Sequence, residues 1–295
     1  MPGTSPRHIH YRTVKVDGLD IFYREAGSPD APTILLLHGF PTSSHMFRDV
    51  IPLLADRFHL IAPDYPGFGY SSTPPPKQFR YTFDRLADVM QRFSDAVSLS
   101  RYALYAQDFG GPVGFRLAAR RPERVSALLI QNANAYDEGI SDGVRDVVLR
   151  VWRERTPETE AKLRTLFELP ATMSQYLEGV PDPSLVSPDA WQHAQWGMDR
   201  PGNKEIQFML HANYGSNIDR YPEWHDYFRR HQPPALVIWG KGDPVFTVAG
   251  AQAYAKDIKK VELHLLDAGH FALETHAAEI AAHIRRFLAS RLPSL

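Results

Sequence analysis

An aspartate stands at the centre of Ala106-Gln107-Asp108-Phe109-Gly110, with further glycines at Gly111 and Gly114. A side chain displayed at a sharp strand-to-helix turn needs small residues two positions either side, because strand and helix approach closely there. Ala106 and Gly110 meet that need. A carboxylate so displayed could serve as a nucleophile. No Gly-x-Ser-x-Gly occurs in the chain, so a serine at such a turn is ruled out. Two further groups follow in chain order, Asp243 in Trp239-Gly-Lys-Gly-Asp-Pro244 and His270 in Asp267-Ala-Gly-His-Phe271. His270 could act as a base toward Asp108, and Asp243 could orient the imidazole through its other nitrogen and stabilise the imidazolium. Each residue also has a plainer reading. Asp108 could be a helix N-cap, Asp243 the start of an Asx-turn before Pro244, and His270 one exposed loop histidine among the 13 in the chain. For the plainer account to stand, all of these readings have to hold together.

Other local patterns carry less. Asp-Phe-Gly at 108–110 also occurs in protein kinases, but the chain has neither a His-Arg-Asp loop nor Gly-x-Gly-x-x-Gly. His276, Glu279 and His283 share a helical face without forming His-Glu-x-x-His, so they read as a solvated face and no metal is assigned. No cofactor motif is present.

The elements that must position these groups alternate. Thr13–Val16 and Ile21–Arg24 flank Asp17-Gly18, a hairpin signal. Short apolar runs then recur at 33–37, 59–62, 102–106, 127–131, 235–239 and 261–266, the pattern of strands buried on both faces. Segments of helical spacing lie between them, around 46–55, 83–97 and 111–120, and 277–288 closes the chain as an amphipathic helix. The expected architecture is α/β, a mostly parallel sheet flanked by helices, with a core of 1–135 and 230–295. From about Tyr136 to Arg229 no buried-strand run appears, so 136–229 reads as a helical insertion, a cap. Ligands of open α/β sheets gather outside the carboxyl ends of the strands. The residues found there are His38-Gly39-Phe40-Pro41, Asp64, Asp108, Asn132, Asn134, Asp243 and His270.

Composition excludes several functions. Without cysteine there is no disulfide framework, thiolate metal site or sulfur nucleophile. Lys plus Arg number 33 against 34 Asp plus Glu, with no block of like charge, so the footprint of a nucleic-acid binder is missing. Apolar runs such as Ile34–Leu37 reach at most five residues, far too short for a membrane span, and the N-terminus carries no apolar stretch. The chain is therefore expected to be cytoplasmic, with a small apolar electrophile and water as partners. No surface reserved for a second copy is legible, and the oligomeric state stays open.

Taken together, the turn at Asp108, Asp243, His270, His38-Gly39-Phe40-Pro41 and Asp64-Tyr-Pro-Gly-Phe-Gly69 resemble the α/β-hydrolase superfamily over nearly the whole chain. Within it the likeness is to the aspartate-nucleophile branch of epoxide hydrolases and haloalkane dehalogenases. The resemblance implies Asp108 as nucleophile, His270 as base, Asp243 as its partner, and the backbone N–H groups of Phe40 and Phe109 as an oxyanion hole. Ala212-Asn213-Tyr214-Gly-Ser-Asn-Ile218 resembles the cap segment that carries a ring-opening tyrosine, which assigns Tyr214 as an acid. His38, Trp152 and Tyr176 are expected against the substrate, with Tyr136 a further candidate for a second proton donor. Dehalogenases of this branch commonly place Trp after the nucleophile and often Asn after His-Gly, where this chain has Phe109 and Phe40. Pro41-Thr-Ser-Ser44 is nonetheless dehalogenase-like. Fluoroacetate dehalogenases carry arginines near the turn where Phe109 and Pro112 stand, which disfavours a carboxylate substrate. Attack by a carboxylate on a saturated carbon gives an ester that water can cleave, so the substrate should be an alkylating electrophile. The expected activity is cofactor-free hydrolysis of an epoxide to a diol. Hydrolytic carbon–halogen cleavage and a non-catalytic ligand-binding protein of the same fold are the alternatives.

Overall fold

The computed structural model describes residues 8–291. Its frame is an eight-stranded sheet with the order β1-β2-β4-β3-β5-β6-β7-β8. The strands are β1 (His10–Val16), β2 (Leu19–Ala26), β3 (Thr33–Leu37), β4 (His59–Pro63), β5 (Tyr102–Gln107), β6 (Val125–Gln131), β7 (Ala235–Gly240) and β8 (Val261–Leu266). The opening hairpin turns where expected, with Asp17 at φ 51° and Gly18 at φ 80°, the left-handed pair that a two-residue turn requires. β2 pairs antiparallel with β4, and every pairing from β4 through β8 is parallel.

The continuous apolar runs follow from burial on both faces. Leu35 and Leu37 of β3 join one core, whereas Ile34 and Leu36 join the other. β7 divides likewise, Val237 and Trp239 to the first and Leu236 and Ile238 to the second. β8 lies at the edge and is half-buried over most of its length, which is why polar Glu262 and His264 alternate into it. Glu262, His264 and His283 bring potential ligand atoms within 4.8 Å of one another. Arg286 reaches all of these side chains, at 2.6 Å from Glu262, 3.3 Å from His264 and 3.0 Å from His283. A guanidinium thus stands where a cation would have to sit.

Helix boundaries differ from expectation in ways the chain explains. The helix expected over 46–55 divides into a 3-10 turn, Ser44–Phe47, and a short helix, Val50–Leu54. Pro52 has no N–H for a helical bond and fits only within the first turn, so the helix cannot begin much before it. The closing helix starts earlier than expected, at Leu273, and bends at His276 (φ −125°, ψ 25°). Its first turn is held by Glu274, which accepts from Arg48 at 3.1 Å.

Between β6 and β7 the chain forms helices, among them Pro157–Arg164, Leu169–Leu177, Pro188–Met198, Asn203–Ala212 and Tyr221–His231, and no strand among the described residues. The insertion is fastened to the sheet layer by buried polar bonds. Phe83 N–H donates to Asn213 Oδ1 at 3.1 Å, and Gln207 Nε2 donates to Gly67 O at 3.2 Å. Arg116 donates from Nη1 to Asn217 Oδ1 at 2.8 Å and from Nε to Asp84 at 2.6 Å. No described helix is long and apolar enough to cross a membrane.

Candidate active site

β3 lies between β4 and β5, and the chain leaves β3 toward β4 but leaves β5 toward β6 on the other side, so a crevice opens at the carboxyl ends of β3 and β5. Phe40 follows one strand and Asp108 the other. Asp108 has φ 48°, a conformation that costs an ordinary residue energy and that Asp tolerates better than most. The turn is possible because the helix Gly110–Arg120 starts with no side chain; a Cβ at Gly110 would lie 2.2 Å from Leu37 O. The carboxylate does not cap that helix. Its Oδ1 accepts from Phe40 N–H at 2.7 Å, and Phe109 N–H bonds the carboxylate as well. Burial pushes the Asp108 pKa above its ordinary value, although His270 and the N–H groups of Phe40 and Phe109 pull the other way.

His270 is 1% exposed, not a surface loop residue. Its Nδ1 donates to Asp243 Oδ2 at 2.8 Å, and its Nε2 lies 3.7 Å from Asp108 Oδ2. Burial opposes a charge on this ring, but the charge and hydrogen bond of Asp243, with Asp108 behind them, outweigh it and hold the pKa above 6.5. Asp243 fulfils both readings of its sequence. Oδ1 accepts from Val245 N–H at 2.7 Å, the expected Asx-turn, and from Phe246 N–H at 3.1 Å. Oδ2 is left for His270 and for Asn132 Nδ2, which donates at 2.7 Å.

Three residues at the site carry no role that type and spacing alone point to: Asn132, Gln107 and His211. Asn132 was noticed only as a strand-end residue; its Oδ1 also accepts from Gly240 N–H at 3.0 Å, so it fixes Asp243 against β7. Gln107 is fully buried, and its Nε2 is 3.0 Å from His270 Nε2. His211 lies in the last turn of the helix Asn203–Ala212, three residues before Tyr214, which follows the end of that helix, and this nearness in sequence to Tyr214 is the one signal that could have found it.

A cavity of about 260 Å³ opens above Asp108, walled by Phe40, Phe109, Val148, Leu166, Tyr214 and Phe246, with His211 in the wall. Tyr214 is 4% exposed, and burial carries its pKa well above 10. The other expected contacts are not brought here. Trp152 is 44% exposed and packs over Gly215, whose absent Cβ would fall 2.2 Å from the indole. Tyr176 is buried and stacks on Phe271 at 4.1 Å, bracing the His270 loop from behind. His38 is buried beneath the oxyanion loop, with Nδ1 donating to Gly39 O at 2.9 Å and Nε2 accepting from Tyr65 N–H at 3.3 Å. Burial pushes its pKa down to about 4, so it braces the loop as a neutral ring. Tyr136 donates to Asp257 at 2.9 Å. Asp64 is likewise a brace, accepting from Ser44 N–H at 2.7 Å and Tyr70 N–H at 2.8 Å. A second cleft, lined by Pro32, Thr33, Arg57 and Arg285, lies at the amino end of β3, the wrong end for the chemistry.

A carboxylate held by two backbone N–H groups, an oriented imidazole and a largely apolar cavity together form an arrangement that could carry out hydrolysis through a covalent intermediate. The family described as alpha/beta hydrolase fold matches residues 32–277, and the chain belongs to that family. An uncharacterized hydrolase of Saccharomyces cerevisiae is 44% identical over 271 residues, 91% of this chain and 93% of its own. A haloalkane dehalogenase of Psychrobacter cryohalolentis is 37% identical over 287 residues, 92% of this chain and 88% of its own. The crystal structure of the haloalkane dehalogenase DbeA from Bradyrhizobium elkani superposes with a TM-score of 0.82 at 26% identity, covering 98% of this chain and 100% of that one. The chain thus falls within the hydrolase-fold branch that holds the dehalogenases and epoxide hydrolases.

Proposed function

We propose that this chain is a cofactor-free epoxide hydrolase that works through an ester on Asp108. The carboxylate attacks an epoxide carbon, the ring C–O bond opens, and Tyr214 gives its proton to the alkoxide. His270 then takes a proton from water, whose oxygen adds to the ester carbonyl while the N–H groups of Phe40 and Phe109 hold the oxyanion. Collapse releases the alcohol oxygen, which takes the proton from His270. The proton left on the Asp108 carboxyl group restores the phenol of Tyr214. The sum is epoxide plus water to diol.

The observation that carries this reading is the donor inventory of the cavity. A halide needs N–H donors, whereas an opening epoxide needs an acid. Phe40 and Phe109 present rings, Tyr214 presents an O–H, and the side-chain amide lining the cavity belongs to Gln175, which is only half-buried. The cavity is smaller than most drug-sized sites, which suits a small substrate. Hydrolytic carbon–halogen cleavage is the second reading, favoured by the likeness to haloalkane dehalogenases.

One experiment separates them. His270→Gln protein should form the ester without hydrolysing it, so it is mixed with epoxides and haloalkanes and its peptides are weighed. An adduct on the Asp108 peptide with the full mass of an epoxide is the expected result. An alkyl adduct lacking halogen would move the assignment to dehalogenation, and an unmodified Asp108 with an inert parent protein would end both readings.

The two half-reactions should also separate in pH. Ester formation needs ionised Asp108, while hydrolysis needs neutral His270, whose pKa lies above 6.5 in the free protein. As pH falls, His270 is protonated first and kcat declines, while kcat/KM, which reports ester formation, holds until Asp108 itself takes a proton. Esterification removes the Asp108 charge, so the kcat limb should sit below the pKa of His270 in the free protein. Coincident acid limbs in kcat and kcat/KM would contradict this assignment of the base.

A further inference from the structure

His211 is a histidine in an apolar wall whose protonation pattern is set by its own helix. Its Nδ1 lies 2.8 Å from Gln207 O, and because a carbonyl oxygen only accepts, the ring hydrogen is on Nδ1. That carbonyl belongs to the backbone of the helix Asn203–Ala212, so it is not free to turn away. The ring is 4% exposed and boxed by Phe40, Phe109 and Phe167, with centroids at 4.3, 5.1 and 5.2 Å. Burial pushes its pKa down to about 4, which keeps it neutral under ordinary conditions. Nε2 therefore carries a lone pair and no hydrogen, and no described protein group donates to it. Phe40 and Phe109, which box the ring, are also the residues whose N–H groups hold Asp108. Tyr214, three residues on and just past the end of that helix, lines the same cavity.

We propose that His211 is a specificity-determining residue, whose bare Nε2 selects small epoxides that carry a hydrogen-bond donor, a hydroxyl or an amide N–H, within a few bonds of the ring. The inference rests on the epoxide reading above and names its substrate class. The cavity wall then offers complementary groups, a donor at Tyr214 for the ring oxygen and an acceptor at His211 for the substituent. An acceptor that an apolar substituent covers is left without a partner, which is costly, so a substrate that brings a donor gains where an isosteric hydrocarbon loses. The same lone pair repels a halide and agrees with the scarcity of N–H donors around it.

The test compares kcat/KM for glycidol, 1,2-epoxybutane and glycidyl methyl ether. The first pair differs by hydroxyl against methyl, and the ether keeps an oxygen without a donor. The unmutated protein should prefer glycidol over both by about 10- to 100-fold. His211→Phe, which keeps the aromatic box and removes the acceptor, should bring the ratios to within a few-fold of unity. His211→Gln, whose amide oxygen can accept, should restore part of the preference. Comparable rates for glycidol and 1,2-epoxybutane in the unmutated protein would overturn the inference, even if His211→Phe failed to fold. So would an unchanged ratio in a folded His211→Phe protein. In either case, turnover of the epoxides would leave the epoxide reading standing. If no epoxide reacts and Asp108 in His270→Gln stays unmodified, that reading fails and the inference with it.

Discussion

Asp108→Asn should abolish epoxide turnover, by about 10⁴-fold or more, and leave a protein that melts at a higher temperature at neutral pH. The loss follows because an amide is a far poorer nucleophile toward saturated carbon, and Asp108 is the aspartate that lines the cavity, held there by the N–H groups of Phe40 and Phe109. The gain follows from burial. The folded state raises the pKa of Asp108 above 3.8, so the ionised carboxylate is disfavoured in the native protein relative to the unfolded chain. A group shifted upward is at its most favourable below its unfolded pKa, and its contribution is lost as pH rises through the folded one. Asparagine removes that penalty, keeps an oxygen for Phe40 N–H and tolerates the positive φ of this turn. Stabilisation of about 1–2 kcal/mol is the usual scale for such a change at a functional position. Thermal melts of both proteins at neutral and acidic pH check it, since the difference should shrink as the parent carboxylate is protonated. A variant that is inactive but less stable at neutral pH would mean that the carboxylate holds the turn together instead of straining it.

The frame was legible because its signals are local. Each inner strand is buried on both faces and announces itself as an apolar run, and Asp17-Gly18 announces its hairpin. The candidate reacting residues were legible because they stand directly after strands, where few polar residues occur. What sequence could not supply was the direction of side chains within the helical insertion. Trp152 and Tyr176 lie in that segment like Tyr214, yet one faces outward over Gly215 and the other backs onto Phe271. Nothing in their spacing separates them from Tyr214, because the helices there are short and joined at irregular angles. His38 misled for a different reason. Its place beside the oxyanion loop is that of a residue reaching substrate, but a buried ring bonded on both nitrogens is what keeps such a loop in shape. Asn132 and Gln107 needed the third dimension, since their partners are more than a hundred residues away in the chain.

The second large effect concerns Asp243, and its interest lies in which half-reaction suffers. Asp243→Asn should lower kcat by roughly 10³–10⁴-fold, the scale at which an orienting carboxylate acts on a catalytic histidine. It should leave the rate of ester formation within about tenfold, because attack by Asp108 requires no base. Without the carboxylate the ring loses both its charge partner and the acceptor that keeps the hydrogen on Nδ1. His270 Nε2 is then no longer reliably the basic nitrogen. Rapid mixing with a chromogenic epoxide should show a full burst followed by a very slow steady state, and loss of the burst would place Asp243 in the first step instead. The structure also offers a rescue. Asn132 Nδ2 and His270 Nδ1 meet on the same oxygen of Asp243, at 2.7 and 2.8 Å, so residue 132 approaches the imidazole from the end of β6. Adding Asn132→Asp to Asp243→Asn returns a carboxylate to that junction, where it can accept from Nδ1 after a modest side-chain turn. Recovery of at least tenfold in kcat is expected, together with return of the raised His270 pKa in the kcat profile. Recovery of rate without the pKa, or neither, would show that the geometry fixed by Val245 and Phe246 N–H on Asp243 matters more than the charge itself.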